Sequence, residues 1–193
     1  MKLLYDCTEL SYYNEYSGHR AGVFNVALNL FKEFKKKGID ICFYCDYRRY
    51  YYMRDIEEFK DIPILVEHSN MNRFIGFILY ISRFLPQHFK YALQILSRYY
   101  DAYRGVNKRN LKELDNFDVY FSPFSAPSKE IELSNIKRFR MIHDIIPVLE
   151  DGMPTNPRKW YYKIYNSINN NDFYVTNSEC TRHDVLKYLY LFL

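Results

Sequence analysis

The chain has 193 residues, 48% of them hydrophobic and 19% aromatic, and its 21 Tyr and 15 Phe against 6 Gly exclude a disordered polymer and allow one domain with a sizeable core. A formal charge of +4 is too small to name an anionic partner. No stretch reaches the roughly 18–20 uncharged apolar residues of a spanning helix, and MKLLYDCTEL lacks the apolar run of a secretory signal, so the expectation is a cytoplasmic protein.

Lys2 to Tyr5 predicts a short buried strand. The segment SGHRAG follows, and then Val23, Val26, Ala27, Leu30, Phe31 and Phe34 recur at helical spacing. Lys35, Lys36, Lys37 and Gly38 supply a basic last turn and a stop. Ile41 to Cys45 predicts the second strand, and the strand–helix–strand unit implies a parallel pair with a crossover helix. Cys42 and Cys45 form a C-x-x-C, yet positions three apart on a strand face opposite ways, so both read as buried small hydrophobes; Cys7 and Cys180 read as free thiols and no metal site is expected.

The alternation continues with a helix near Tyr51 to Phe59, a strand at Pro63 to Val66, and a helical region from about Asn72 to Tyr103 that Pro86 splits. Strands follow at Val119 to Phe121 and Phe139 to Ile142, then a helix near Arg158 to Ile168, a strand at Phe173 to Thr176 and a helix from about Thr181. This pattern predicts an α/β class: one Rossmann-like, doubly wound domain on a mostly parallel sheet. The last helix reaches the C-terminus without a cap, and such a half normally returns to the sheet once more, so the chain is expected to stop before its final strand.

In such a sheet, ligands gather at the carboxyl ends of the strands. Gly18, His19, Arg20 and Gly22 sit after the first strand and before a helix, where backbone N–H groups and the helix dipole favour an anion; the alternative is a flexible turn with a helix start. Their G-x-x-x-G spacing matches neither the dinucleotide fingerprint nor the P-loop. His143 and Asp144 follow the strand at Phe139 to Ile142, placed either to hydrogen-bond a polar ligand and move a proton or merely to shape the turn. Ser122 and Ser125, and likewise Ser178 and Glu179, follow two further strands, with helix capping by Ser178 or Thr181 as the competing role.

Between Arg73 and Lys112 lie eight cations and one acid, so the rest of the chain is net acidic. Phe74, Phe77, Ile78, Ile81 and Leu85 share a helical face there, and with Arg73, Arg83, Arg98, Arg104, Lys108 and Arg109 they suit an anionic bilayer surface; core packing explains the apolar face equally well. No nucleic-acid module accompanies the charge.

Five segments in this order, LLYDCTELS, SGHRAGVFNVALNLFKEFKKKG, DVYFSPFSAP, IKRFRMIHDIIPVL and YVTNSECTRHDVLKYL, resemble the N-terminal half of GT-B glycosyltransferases of family 4, also called group 1. The resemblance implies an acceptor-side domain, residues 1–193, facing a donor-binding domain that this chain lacks. It implies that Gly18 to Gly22 approach the donor diphosphate, that His143 lies near the transferred sugar, and that SECTRHD is the helix entrance, with Arg182 where lysine is usual. It further implies transfer of a sugar from a nucleotide-sugar substrate to a saccharide or lipid-linked acceptor in polysaccharide or glycolipid synthesis, usually with retention, without a cofactor and through positioning and leaving-group stabilisation. The family's paired glutamates, E-x7-E, have no counterpart, since no two Glu lie eight positions apart. The chain alone is therefore expected to be inactive. The alternative is a non-catalytic module that binds acceptor or membrane and pairs with a separate donor-domain chain; a nucleotide-binding dehydrogenase is disfavoured by the missing G-x-G-x-x-G.

Overall fold

The computed structural model describes residues 1–13, 22–66, 70–103, 108–144, 162 and 164–188. Six strands form one sheet: β1 (Lys2–Asp6), β2 (Asp40–Cys45), β3 (Ile64–Val66), β4 (Val119–Ser122), β5 (Lys137–Ile142) and β6 (Phe173–Thr176). Their order is β3-β2-β1-β4-β5-β6, and every pairing is parallel. The helices are α1 (Gly22–Lys36), α2 (Tyr50–Arg54), α3 (Asn70–Ile81), α4 (Gln87–Tyr103), α5 (Lys108–Leu114), α6 (Lys129–Leu133) and α7 (Glu179–Tyr188). This is a single Rossmann-like α/β domain, as the alternating pattern predicts.

β1 is central because its side chains are apolar on both faces, which only a covered parallel sheet tolerates. On one face Leu3 and Tyr5 join Ile41, Phe43, Cys45 and Phe121, and α1 covers them with Phe24, Ala27 and Phe31. On the other, Leu4, Cys42, Tyr44 and Tyr120 meet Leu114 of α5 and Ile131 of α6. Cys42 and Cys45 thus lie on opposite faces and are free, as strand periodicity requires. Three buried tyrosine hydroxyls of the sheet find partners: Tyr5 donates to the Ala27 carbonyl at 2.6 Å, Tyr44 meets the Ser128 hydroxyl at 2.6 Å and Tyr120 donates to Asp6 at 2.7 Å.

Some expectations shift. The helix expected near Tyr51 to Phe59 divides into α2 and a 3-10 turn at Glu57–Phe59, and α5 and α6 were not predicted. Pro86 does separate α3 from α4, after a 3-10 turn at Ser82–Phe84. The helix expected near Arg158 to Ile168 lies mostly outside the described residues, within which 164–166 are helical.

α3 packs closely on the loop after β2. A methyl group on Gly76 would sit 2.3 Å from the Tyr47 carbonyl oxygen, so only glycine allows this approach. Beneath it Tyr47, Val66 and Leu79 form a small buried cluster.

Candidate functional site at the carboxyl edge of the sheet

The strand order reverses at β1, whose neighbours are β2 and β4, so the crevice outside the carboxyl ends of β1 and β4 is where a parallel sheet of this kind receives ligands. Polar side chains gather along that edge on either side of the reversal.

On the β1 side, Asp6 is 4% exposed. One of its oxygens accepts from the Tyr120 hydroxyl and the other from the Thr8 amide at 2.9 Å. Burial raises its pKa, and those hydrogen bonds together with Arg49 pull it back. Burial also pushes Glu9, in the 3-10 turn Glu9–Tyr12, up to about 7, with Arg49 opposing and Asp6 adding to the rise. Arg49 donates to the Thr8 carbonyl at 3.1 Å and to the Ser11 hydroxyl at 2.6 Å, and pairs with Asp46 at 3.8 Å. Sequence reasoning passed over Asp6, Glu9 and Arg49. The available signal was the acid ending the otherwise apolar LLYD, directly at a strand's carboxyl end.

On the other side, His143 and Asp144 follow β5. His143 is 7% exposed, and its Nε2 lies 2.8 Å from the Pro123 carbonyl in the loop after β4. A carbonyl only accepts, so Nε2 carries a proton and donates it to Pro123. Phe124 stands edge-on to the imidazole at 5.3 Å. The Thr181 hydroxyl of α7 donates to the His143 carbonyl at 3.0 Å, and the Tyr165 hydroxyl donates to the Asp144 carbonyl. These tethers fix the backbone and leave side-chain atoms unused: Asp144 Oδ1 and Ser125 Oγ are buried without a hydrogen-bond partner. Ser122 is fully buried, and its hydroxyl closes the β4 loop by donating to the Ser125 carbonyl at 2.8 Å.

The remaining expected residues lie apart from this cluster. Ser178 caps α7, accepting from the Thr181 amide at 3.0 Å, while the Thr181 hydroxyl is turned to His143; Ser178 rather than Thr181 is thus the cap. Glu179 is exposed and pairs with Arg182 at 2.6 Å. Gly22 opens α1, whereas Gly18, His19 and Arg20 lie outside the described residues. Arg73 is exposed on α3. Arg83 lies 3.2 Å from the Asp55 carboxylate and 4.0 Å over the Tyr80 ring, so its charge is paired within the chain. Arg98, Lys108 and Arg109 fall in α4 and α5 with side chains outside the described residues, as is the whole of Arg104.

A cavity of about 250 Å³ lies at the opposite, amino end of β5 and β6, beside Arg138, Ser167 and Asp172. Its charges bind one another and the backbone: Asp172 binds both Arg138 and Arg140, and these donate to the carbonyls of Ile131, Glu132, Ile164 and Ser167. It therefore reads as a structural clamp. Among the described residues no group of three or more His, Cys, Asp or Glu could hold a metal ion, and no helix is long and apolar enough to cross a membrane. Comparison with protein-family models, curated proteins and solved structures finds no match to this chain.

Proposed function

We propose that the chain is the acceptor-side domain of a GT-B glycosyltransferase of the family 4 type, acting in the cytoplasm on a saccharide or lipid-linked acceptor for cell-surface polysaccharide or glycolipid synthesis. The observation that carries this reading is His143, whose imidazole is held by Pro123 at the carboxyl end of β5, beside the reversal point of an all-parallel sheet. The five ordered segments that resemble the family include this histidine and the glycine loop Gly18 to Gly22 before α1.

In this reading the loop approaches the diphosphate of a nucleotide sugar, His143 neighbours the transferred sugar, and the donor itself is gripped by a second domain, because no E-x7-E pair is present. The reaction then depends on positioning and on stabilising the departing diphosphate. The test mixes the 193 residues with UDP-, GDP- and CDP-sugars and an acceptor extract, with and without a donor domain, and reads products by mass spectrometry. Acceptor binding without turnover until a donor domain is supplied is the expected result. Robust transfer by these residues alone overturns the division of labour, and preferred binding of a nicotinamide dinucleotide overturns the family reading.

A second role, docking on an anionic membrane that carries the acceptor, is favoured by the outward aromatic face of α3. Phe74 and Phe77 on α3, and Phe84 in the 3-10 turn that follows, are 59%, 44% and 74% exposed, an apolar patch of the kind that marks an interaction surface. The pairing of Arg83 with Asp55 shifts the weight of this role from charge to the apolar face.

A further inference from the structure

We propose that the cavity at the amino ends of β5 and β6 is a binding site for a small oxyanion, phosphate or the phosphate of an ester, which Arg138 recognises. The clamp beside that cavity is not electrically neutral. Arg138 and Arg140 are 6% and 3% exposed, and they share a single carboxylate, Asp172, so the buried cluster carries a net positive charge. Buried charges are normally balanced, because an ion removed from water forfeits its hydration. The backbone carbonyls around the two guanidinium groups solvate this charge without cancelling it. Glu132, the other acid lining the cavity, is exposed and makes no ion pair among the described residues.

Unspent donors mark the same place. Both Nη atoms of Arg140 are engaged, Nη1 with the Ser167 carbonyl at 2.7 Å and with Asp172, and Nη2 with the Ile164 carbonyl at 3.1 Å and the Ser167 hydroxyl at 2.8 Å. Arg138 is only partly engaged. Its Nε donates to Asp172 and its Nη1 to the carbonyls of Ile131 at 3.1 Å and Glu132 at 3.0 Å, while Nη2 has no hydrogen-bond partner among the described residues. This side chain lines a cavity of about 250 Å³, which has room for more than a single water. Asn166, Ser167 and Asn169 line it as well and carry neutral donors. Water there would accept hydrogen bonds but bring no charge. An anion supplies both, and because the donors come from β5 and from residues 166–169, a tetrahedral oxyanion with acceptors on every side fits better than a planar carboxylate.

This site rests on no part of the transferase reading. The experiment follows the thermal midpoint of the full chain at neutral pH and constant ionic strength, with inorganic phosphate, glycerol phosphate, acetate or sodium chloride added. A saturable rise is expected with phosphate or its ester and none with acetate or chloride. Glycerol phosphate binding as tightly as phosphate assigns the site to an esterified phosphate, and its exclusion assigns it to the free anion. Asn166 is exposed, so Asn166→Asp changes the charge at the cavity without touching the core and should weaken binding about tenfold or more, while Asn166→Lys should tighten it. Gln94→Glu makes the same charge change on the exposed side of α4 and should leave binding unchanged. Arg138→Lys keeps the charge but withdraws Nη2, and should also weaken binding; if it does not fold, the two Asn166 variants carry the comparison. The proposal is overturned if neither phosphate compound gives a saturable rise, if acetate or chloride matches them, if Asn166→Asp or a folded Arg138→Lys binds like the wild type, or if Gln94→Glu weakens binding as much as Asn166→Asp.

Discussion

Glu9 gives the clearest consequence of a single side chain's surroundings. Its pKa in the folded protein stands at about 7, above the ordinary 4.5, because burial disfavours its charge. The folded state therefore holds this proton more tightly than the unfolded chain does. The associated stability is complete below about 4.5 and is lost as pH rises through about 7. Burial shifts Asp6 in the same direction, adding to the trend. Glu9→Gln should thus flatten the fall in stability between pH 5 and 8 in urea unfolding; a pH profile identical to that of the wild type would contradict the burial. Asp172 is a carboxylate 1% exposed that is shared by Arg138 and Arg140. Asp172→Ala leaves two buried guanidinium groups without their counter-ion and should cost about 3–5 kcal/mol in the same assay.

At the level of elements, α3 has two faces with different duties. Its inner face fits against Tyr47 so closely that Gly76→Ala must displace the helix or the loop, at a cost of about 1–3 kcal/mol by urea unfolding. Wild-type stability in that variant would mean that the contact is looser than 2.3 Å implies. Its outer face contributes less to the fold, since Phe74 is 59% exposed and Phe77 44%, with the Tyr51 ring 5.5 Å from that of Phe77. Replacing Phe74, Phe77 and Phe84 by serine should therefore leave the unfolding midpoint nearly unchanged while reducing flotation with vesicles of anionic lipid. Flotation unaffected by the triple change, or absent in the wild type, would remove the membrane role.

For the molecule as a whole, the sheet predicts where the structure opens last. β1 is paired on both sides and buried on both faces, whereas β6 pairs with β5 alone in the described residues and leaves Phe173 and Val175 53% and 43% exposed. Hydrogen exchange read by mass spectrometry should be slowest at Leu3 to Asp6 and their β2 and β4 partners, and fast in β6. Equal protection across the sheet would argue against β1 as its centre. The same layout sets the carboxyl edge, because six parallel strands point their ends, and the loops that follow, to one side.

Local pattern alone determined the strands, the crossover helix α1 and the break at Pro86, because hydrophobic periodicity and proline act within a few residues. It also singled out His143, Asp144, Ser122 and Ser125, since residues after a strand are identifiable once the strand is. Pattern could not distinguish their duties. That Ser122 is spent on a backbone carbonyl while Ser125 Oγ is left unpartnered depends on how the β4 loop closes. The Asp6, Glu9 and Arg49 cluster was equally illegible, because Arg49 reaches Thr8 and Ser11 across 41 and 38 residues of chain. Short-range spacing fixes elements; which polar atoms find partners is settled only when separate loops meet at the sheet's edge.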